Sequence, residues 1–294
     1  MTGLPRNFLM ADDVVLICSN GTALPFRPAG NEFCLSIDPH ACFDGPLFLT
    51  YHKGASALRL VVNKNASIHL IEDTSEETSS LNIEICEGAS VQYTRLFLNR
   101  TRAKATSLHA FVYAGGSLVC RTAAALPLFT SSCFISLRGA GASATLYGLS
   151  LLPPSKTSHQ TLFIDHRAEN TSSLQLVKGL AAEGASGLIE SHVRMCKEAK
   201  GSSSRQYSHF LTLGASAKAV HKPKFEIFTD DVSASHGATT GMLDEEALFY
   251  LRARGLDAKE ARRYLIDGFC EEIIRELPQE AVPILRQRMD EVIG

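Results

Sequence analysis

The chain has 294 residues, 45% of them hydrophobic and 20% charged, with a formal net charge of −2. This composition excludes a disordered chain, and without a Lys/Arg cluster interleaved with aromatics it offers nucleic acid no electrostatic footprint. No apolar run reaches the length of a membrane span, and Met1–Ala11 has neither a basic start nor a long apolar middle, so the expectation is a cytoplasmic protein with no membrane partner.

Eight cysteines, at positions 18, 34, 42, 86, 120, 133, 196 and 270, show no CxxC pair and no Cys/His ligand spacing. They read mostly as small buried hydrophobes rather than as a disulfide or zinc framework.

After a short N-terminal region, residues 1–50, one tripeptide keeps returning. It stands at Gly54-Ala55-Ser56, Gly88-Ala89-Ser90, Gly141-Ala142-Ser143, Gly184-Ala185-Ser186 and Gly214-Ala215-Ser216, with Asn65-Ala66-Ser67 and Gly115-Gly116-Ser117 as variants. Between the corners lie alternating stretches such as Leu58–Val62 and Ser67–Ile71. Short strands separated by small, tight corners fit a solenoid, in which each coil buries its apolar face against the next. A β-sandwich would also give short strands, but Asn-Gly and Asp-Gly hairpin turns are scarce. The expectation is a β-rich body over residues 51–242.

Several polar groups in this body carry tempting chemistry and a plainer reading. Glu72, Asp73, Glu76 and Glu77, with Ser and Thr between them, read as a solvated loop. Asp165-His166 has the look of a dyad without a recognisable nucleophile. His209, near Gln206, reads as a structural histidine on a strand.

Residues 223–255 are the most informative. Phe225 and Ile227 mark a strand ending near Thr229, and Asp230-Asp231 form a solvated turn. Ser235, His236 and Gly237 to Gly241 read as a Gly-rich turn presenting a reachable imidazole. Asp244 is an N-cap, with Glu245 and Glu246 favouring the positive end of a helix. Asp257 with Glu260 forms a capping box for a second helix whose apolar stripe is Ala261, Leu265, Phe269, Ile273 and Leu277, stopped by Pro278. Leu285, Met289 and Val292 mark a third helix that starts at or is kinked by Pro283. These helices, residues 243–294, are expected to cover one open end of the solenoid.

The pattern Glu226, Ile227, Asp231, Val232, Ser235 to Thr239, Gly241, Leu243 to Glu246, Phe249 to Arg252, Arg254 and Gly255 resembles the C-terminal region of the SufB/SufD family of iron–sulfur cluster assembly proteins, most closely its SufD members. The likeness extends upstream through Asp165, His166, Ser173, Gln175, Lys178, Gly179, Gly187, Gln206, Leu213 and Ala217. It implies a mainly β fold, a right-handed parallel β-helix with a C-terminal α-helical domain, and a non-enzymatic scaffold subunit. It further implies a SufB-like partner and a SufC-like ATPase as partners, with a homodimer available to the isolated chain.

His236 would then be a ligand of a transient iron–sulfur cluster shared with SufB, not one held tightly by this chain alone. Leu248, Phe249, Tyr250, Arg252 and Arg254 would dock the ATPase. Two departures separate the chain from SufB: Ser208 stands where SufB has a cysteine, and Gly237 where SufB has an acidic residue. Family members carry a longer N-terminal region than the 50 or so residues here. The competing expectations are a carbohydrate-active β-helix enzyme, which needs paired inward carboxylates on adjacent coils, and a self-pairing SufB-like scaffold. No phosphate-binding GxxxxGK[ST] motif is present, so ATP hydrolysis is expected in the partner.

Overall fold

The structure, a computed structural model, describes residues 15–18, 23–25, 27–29, 32–50, 57–72, 78–98, 104–125 and 128–293. Its first strands are short: β1 (Val15–Ile17), β2 (Ala23–Pro25), β3 (Arg27–Ala29), β4 (Glu32–Ile37) and β5 (Leu47–Thr50). Then come β6 (Leu58–Val62), β7 (Ser67–Glu72), β8 (Thr78–Ile85), β9 (Ser90–Phe97), β10 (Lys104–Val112), β11 (Ser117–Ala124) and β12 (Leu128–Leu137). The last coils hold β13 (Ser143–Leu152), β14 (Thr157–His166), β15 (Ser172–Ala181), β16 (Ser186–Met195), β17 (Ser202–Thr212), β18 (Lys218–Ile227) and β19 (Val232–Gly241).

Odd-numbered strands from β5 to β19 pair in parallel in one sheet, even-numbered strands from β4 to β18 in the other, and among the described residues antiparallel pairs occur only among β1 to β5. This is a parallel β-solenoid, as the repeated corners imply. The coil lengthens along the chain: Lys64 meets Glu87, 23 residues on, whereas Glu190 meets Lys222, 32 residues on.

The tripeptide works as a corner. Asn65, Gly88, Gly115 and Gly141 have φ of 57°, 67°, 61° and 70°, the left-handed region that glycine and asparagine enter most cheaply. Each amide there donates to a carbonyl of the next coil, as from Asn65 to Glu87 at 3.0 Å and from Gly88 to Ala114 at 2.9 Å. The middle alanines Ala66, Ala89 and Ala142 are buried beneath the corner, and the serines Ser67, Ser90, Ser117 and Ser143 open the following strands. Gly214 serves closeness rather than handedness, since a Cβ there would sit 2.8 Å from Glu183 Cα. Gly54-Ala55-Ser56 lies outside the described residues.

Inside the solenoid, Leu58, Leu60, Val62, Leu81, Ile83, Val91 and Leu108 are buried. Each such side chain contributes about 1.5–3 kcal/mol relative to exposure.

Three helices follow: α1 (Glu245–Ala253), α2 (Ala258–Ile274) and α3 (Val282–Ile293). Asp244 caps α1, and Asp257 with Glu260 forms the expected capping box of α2. Pro283 falls in the first turn of α3, where its missing N–H leaves no hydrogen bond unmade. The helices do not close the end of the solenoid as the sequence implied. Ile266, Cys270, Ile273, Ile274, Leu285 and Met289 pack along its flank, on outward residues of the odd-numbered sheet such as Leu96, Ala123, Leu149 and Leu176.

Lys178 pins the contact by donating to the Phe269 carbonyl at 2.8 Å and pairing with Glu272 at 2.8 Å. Arg288 donates to the Leu98 carbonyl at 2.6 Å. The buried stripe of α2 also departs from the expected one, with Ile266 and Cys270 taking the deep positions in place of Leu265 and Phe269. Steps of four residues overrun a 3.6-residue turn by ~40° each, so a strict i, i+4 series winds off the contact face.

Candidate functional site at the unclosed coil

Along β17, Ser202, Ser204, Gln206, Ser208 and Phe210 alternate into the interior. The register lays Ala234 on Ser204, His236 on Gln206, Ala238 on Ser208 and Thr240 on Phe210. The segment Ser235–Gly241 is therefore strand, not the Gly-rich turn its composition implied, because the ladder with β17 supplies its backbone partners and overrides a weak local propensity.

β18 and β19 are the last strands of their sheets among the described residues. Their inward side chains have no further coil to cover them. His236 is exposed and lies edge-on to Phe225 from β18, ring centroids 5.4 Å apart. His221, also on β18, is half-buried edge-on to Phe210 at 5.5 Å. Its Nδ1 lies 2.7 Å from Ser208 Oγ and its Nε2 3.0 Å from Thr240 Oγ1. Burial and then the nearby His209 push its pKa below the ordinary histidine value. Apolar side chains are exposed around the same end: Val220, Ile227, Phe228 and Met242, the last at 74%.

Four residues beyond Gly241, α1 begins. It buries none of its residues. Phe249 is 74% exposed and Tyr250 56%, with the Arg254 guanidinium 4.5 Å from the Tyr250 ring centroid. Arg252 is exposed as well, while Leu248 is half-buried. A groove of about 590 Å³ between Arg254, Leu256, Lys259, Arg263, Tyr264 and Asp267 adjoins this corner. The residues of the α1 surface are thus brought together, and His236 sits apart from them on the terminal strand.

The polar groups given plain readings divide. Glu72 is not in a solvated loop: it is 1% exposed, accepts from the Tyr93 hydroxyl and pairs with buried Arg95 at 3.7 Å. Its alternation in β7 turns it inward; Asp73, Glu76 and Glu77 lie outside the described residues. Asp165 and His166 form no dyad. Asp165 faces outward and is bound by Arg194 at 2.8 and 2.9 Å and by Arg167. His166 faces inward, 2.8 Å from Thr171 Oγ1 and 2.9 Å from Ser173 Oγ, and burial lowers its pKa to about 4. Among the described residues the two fully buried carboxylates, Glu72 and Asp165, therefore face opposite ways, one inward and one outward, each held by arginine, which does not match the paired inward carboxylates of a glycosidase.

Of the eight cysteines only Cys120, Cys133 and Cys270 are buried; Cys42 is exposed and the others are half-buried, all as free thiols. Among the described residues no three His, Cys, Asp or Glu side chains converge on a metal site, and no helix is long and apolar enough to cross a membrane. His221 and the Ser-x-Ser-x-Gln-x-Ser run of β17 were not singled out from sequence as one site. The available signal was the period-2 polarity leading into Phe210, which fixes the inward phase.

Fold and terminal site together define a parallel β-solenoid whose last described coil is uncovered, beside an exposed helical corner. Residues 52–269 match the family described as SUF system FeS cluster assembly, SufBD core domain, and the chain belongs to that family. It is 36% identical over 163 residues, 53% of its length and 40% of the relative's, to an iron-sulfur cluster assembly SufBD family protein of Mycobacterium tuberculosis (strain ATCC 25618 / H37Rv). A protein of the same description from Staphylococcus aureus (strain MRSA252) is 28% identical over 234 residues, 75% of this chain and 50% of that one. The chain thus spans half or less of the length of these relatives.

Proposed function

We propose that the chain is a SufD-like scaffold subunit that pairs through its terminal coil with a SufB-like solenoid and binds a SufC-like ATPase through α1, without catalytic chemistry of its own. The observation that carries this reading is the terminal coil: among the described residues β18 and β19 are the edge strands of their sheets, and His236 and several apolar side chains are exposed around that end. Such an edge is a template for strand addition by another chain.

A neutral imidazole is a sound iron ligand, but a cluster takes about four protein ligands, mostly thiolates. His236 would supply one, and the partner's cysteine and small molecules the rest. With Ser208 in place of the SufB cysteine, this chain brings no thiol of its own to that position, which favours the SufD role over a self-pairing SufB. The domain plan follows: residues 51–242 as β-helix core, residues 243–294 as the ATPase-docking helices. Phe249, Tyr250, Arg252 and Arg254, with Leu248 behind them, have the composition of a binding hot spot.

The test is co-expression with SufB-like and SufC-like subunits, followed by size exclusion with light scattering and analysis of iron and sulfide. A ternary complex carrying cluster is expected. His236→Ala should preserve the complex and lower iron and sulfide, while Tyr250→Asp with Arg254→Asp should release the ATPase alone by placing carboxylates on an apolar patch. Unchanged iron and sulfide in the His236→Ala complex would sink the ligand role.

A further inference from the structure

One atom beneath His236 lacks a partner. Gln206 is 3% exposed, and its Nε2 donates to the Ser191 carbonyl at 2.8 Å. Its Oε1 is buried and accepts no hydrogen bond. A buried acceptor left unmade is costly and calls for an explanation in its surroundings. The parallel register sets His236 directly on Gln206, one strand spacing of ~4.8 Å away, with both side chains turned to the interior.

We infer that Gln206 is a positioning residue for His236. Its Oε1 accepts the ring N–H, fixes which nitrogen carries the proton and leaves the other lone pair free for a borderline cation such as ferrous iron. This inference rests on the reading of His236 as a cluster ligand. The ring now lies edge-on to Phe225 at 63° and is exposed, and the bond to Gln206 forms as the ring turns off that contact.

One coil deeper, Gln175 follows the same register, with its Oε1 accepting from Ser191 Oγ at 2.5 Å and its Nε2 unpartnered. A carbonyl oxygen has two lone pairs, so Gln206 Oε1 can serve Gln175 and His236 together. The two amides and the imidazole then make one donor–acceptor ladder running to the open end.

The experiment is a long-range proton–nitrogen correlation spectrum of the ¹⁵N-labelled chain, read at neutral His236 in wild type, Gln206→Met, Gln206→Glu and Gln175→Met. Expected are a single tautomer in wild type, the mixture of a free imidazole in Gln206→Met, and a single tautomer again in Gln206→Glu, which keeps an acceptor in place, and in Gln175→Met. Equal tautomer ratios in wild type and Gln206→Met would overturn the inference, as would equal release in Gln175→Met, which would mark general loosening. Should Gln206→Met not fold, a free-imidazole mixture in the wild-type chain overturns it alone. The measurement needs neither iron nor a partner. Its failure therefore leaves the ligand role of His236 standing, and normal cluster yield from His236→Ala would remove that role without touching the tautomer result.

Discussion

Around β6 to β9 the interior is lined by Leu58, Leu60, Val62, Leu70, Leu81 and Ile83, and its polarity is concentrated in one charged pair, Glu72 with Arg95. Around β15 to β19 the equivalent positions hold Ser173, Gln175, Ser191, Ser204, Gln206 and Ser208, all neutral and mostly linked to one another. The same coil geometry thus encloses polar groups in two ways. A buried ion pair binds strongly but each member depends on the other. A lattice of hydroxyls and amides gives less apolar burial and spreads its hydrogen bonds over several coils, and it brings donors and acceptors up to the strand that carries His236.

The largest expected effect tests the charged pair. Burial works against the Arg95 charge, and Tyr93 and Glu72 outweigh it, so the guanidinium stays ionised. Arg95→Leu leaves Glu72 buried without its counter-charge and should cost about 3–5 kcal/mol, whereas Glu72→Leu with Arg95→Leu should recover most of that loss. Urea midpoints of both variants decide it. Equal losses in the single and double variants would show that the pair is not coupled, and the contrast between the two regions would fall.

Next comes the pH response of the polar region. His166 has a folded value of about 4 against an ordinary 6.5, because burial disfavours its charge. The unfolded chain therefore takes up the proton first. Stability is fully present above pH 6.5, falls as pH drops towards 4 and levels off below it. At about 1.4 kcal/mol per unit the window amounts to ~3 kcal/mol. His166→Gln should flatten that window in denaturation series across pH; an unaltered slope would assign the acid sensitivity to other groups.

Much of this contrast was hidden in the sequence. The Gly-Ala-Ser corners were legible because a left-handed residue followed by a small buried one leaves a compositional mark, and the Asp244 and Asp257 caps were legible for the same local reason. Glu72 was misread because Ser and Thr around it say nothing about which face of β7 turns inward. Ser235–Gly241 was misread because its small residues favour a turn until a neighbouring strand supplies the ladder. The resting place of α2 and α3 depends on Leu96, Ala123, Leu149 and Leu176, far apart in the chain and brought into one flank by coiling alone. At the candidate site, His236 stood out in its motif, but Gln206 is set beneath it only by the register of β17 with β19, and His221 reaches that end through Ser208 and Thr240.

The smallest effect is the sharpest test of redundancy. Ser204 Oγ lies 2.8 Å from Ser173 Oγ, and Ser173 is bound in turn at 2.9 Å by His166. Ser204→Ala removes one hydroxyl yet leaves its neighbour a partner, so no buried group is stranded and the cost should be about 1 kcal/mol. Leu60→Ala, at the matching depth of the apolar region, opens a cavity that flanking coils cannot fill and should cost about 2–5 kcal/mol. The lattice is expected to absorb single losses because each hydroxyl has two ways to bond, while a close-packed methyl has only its volume. If Ser204→Ala destabilises as much as Leu60→Ala in the same urea series, the polar coils are as tightly specified as the apolar ones, and their polarity then serves packing rather than the open end.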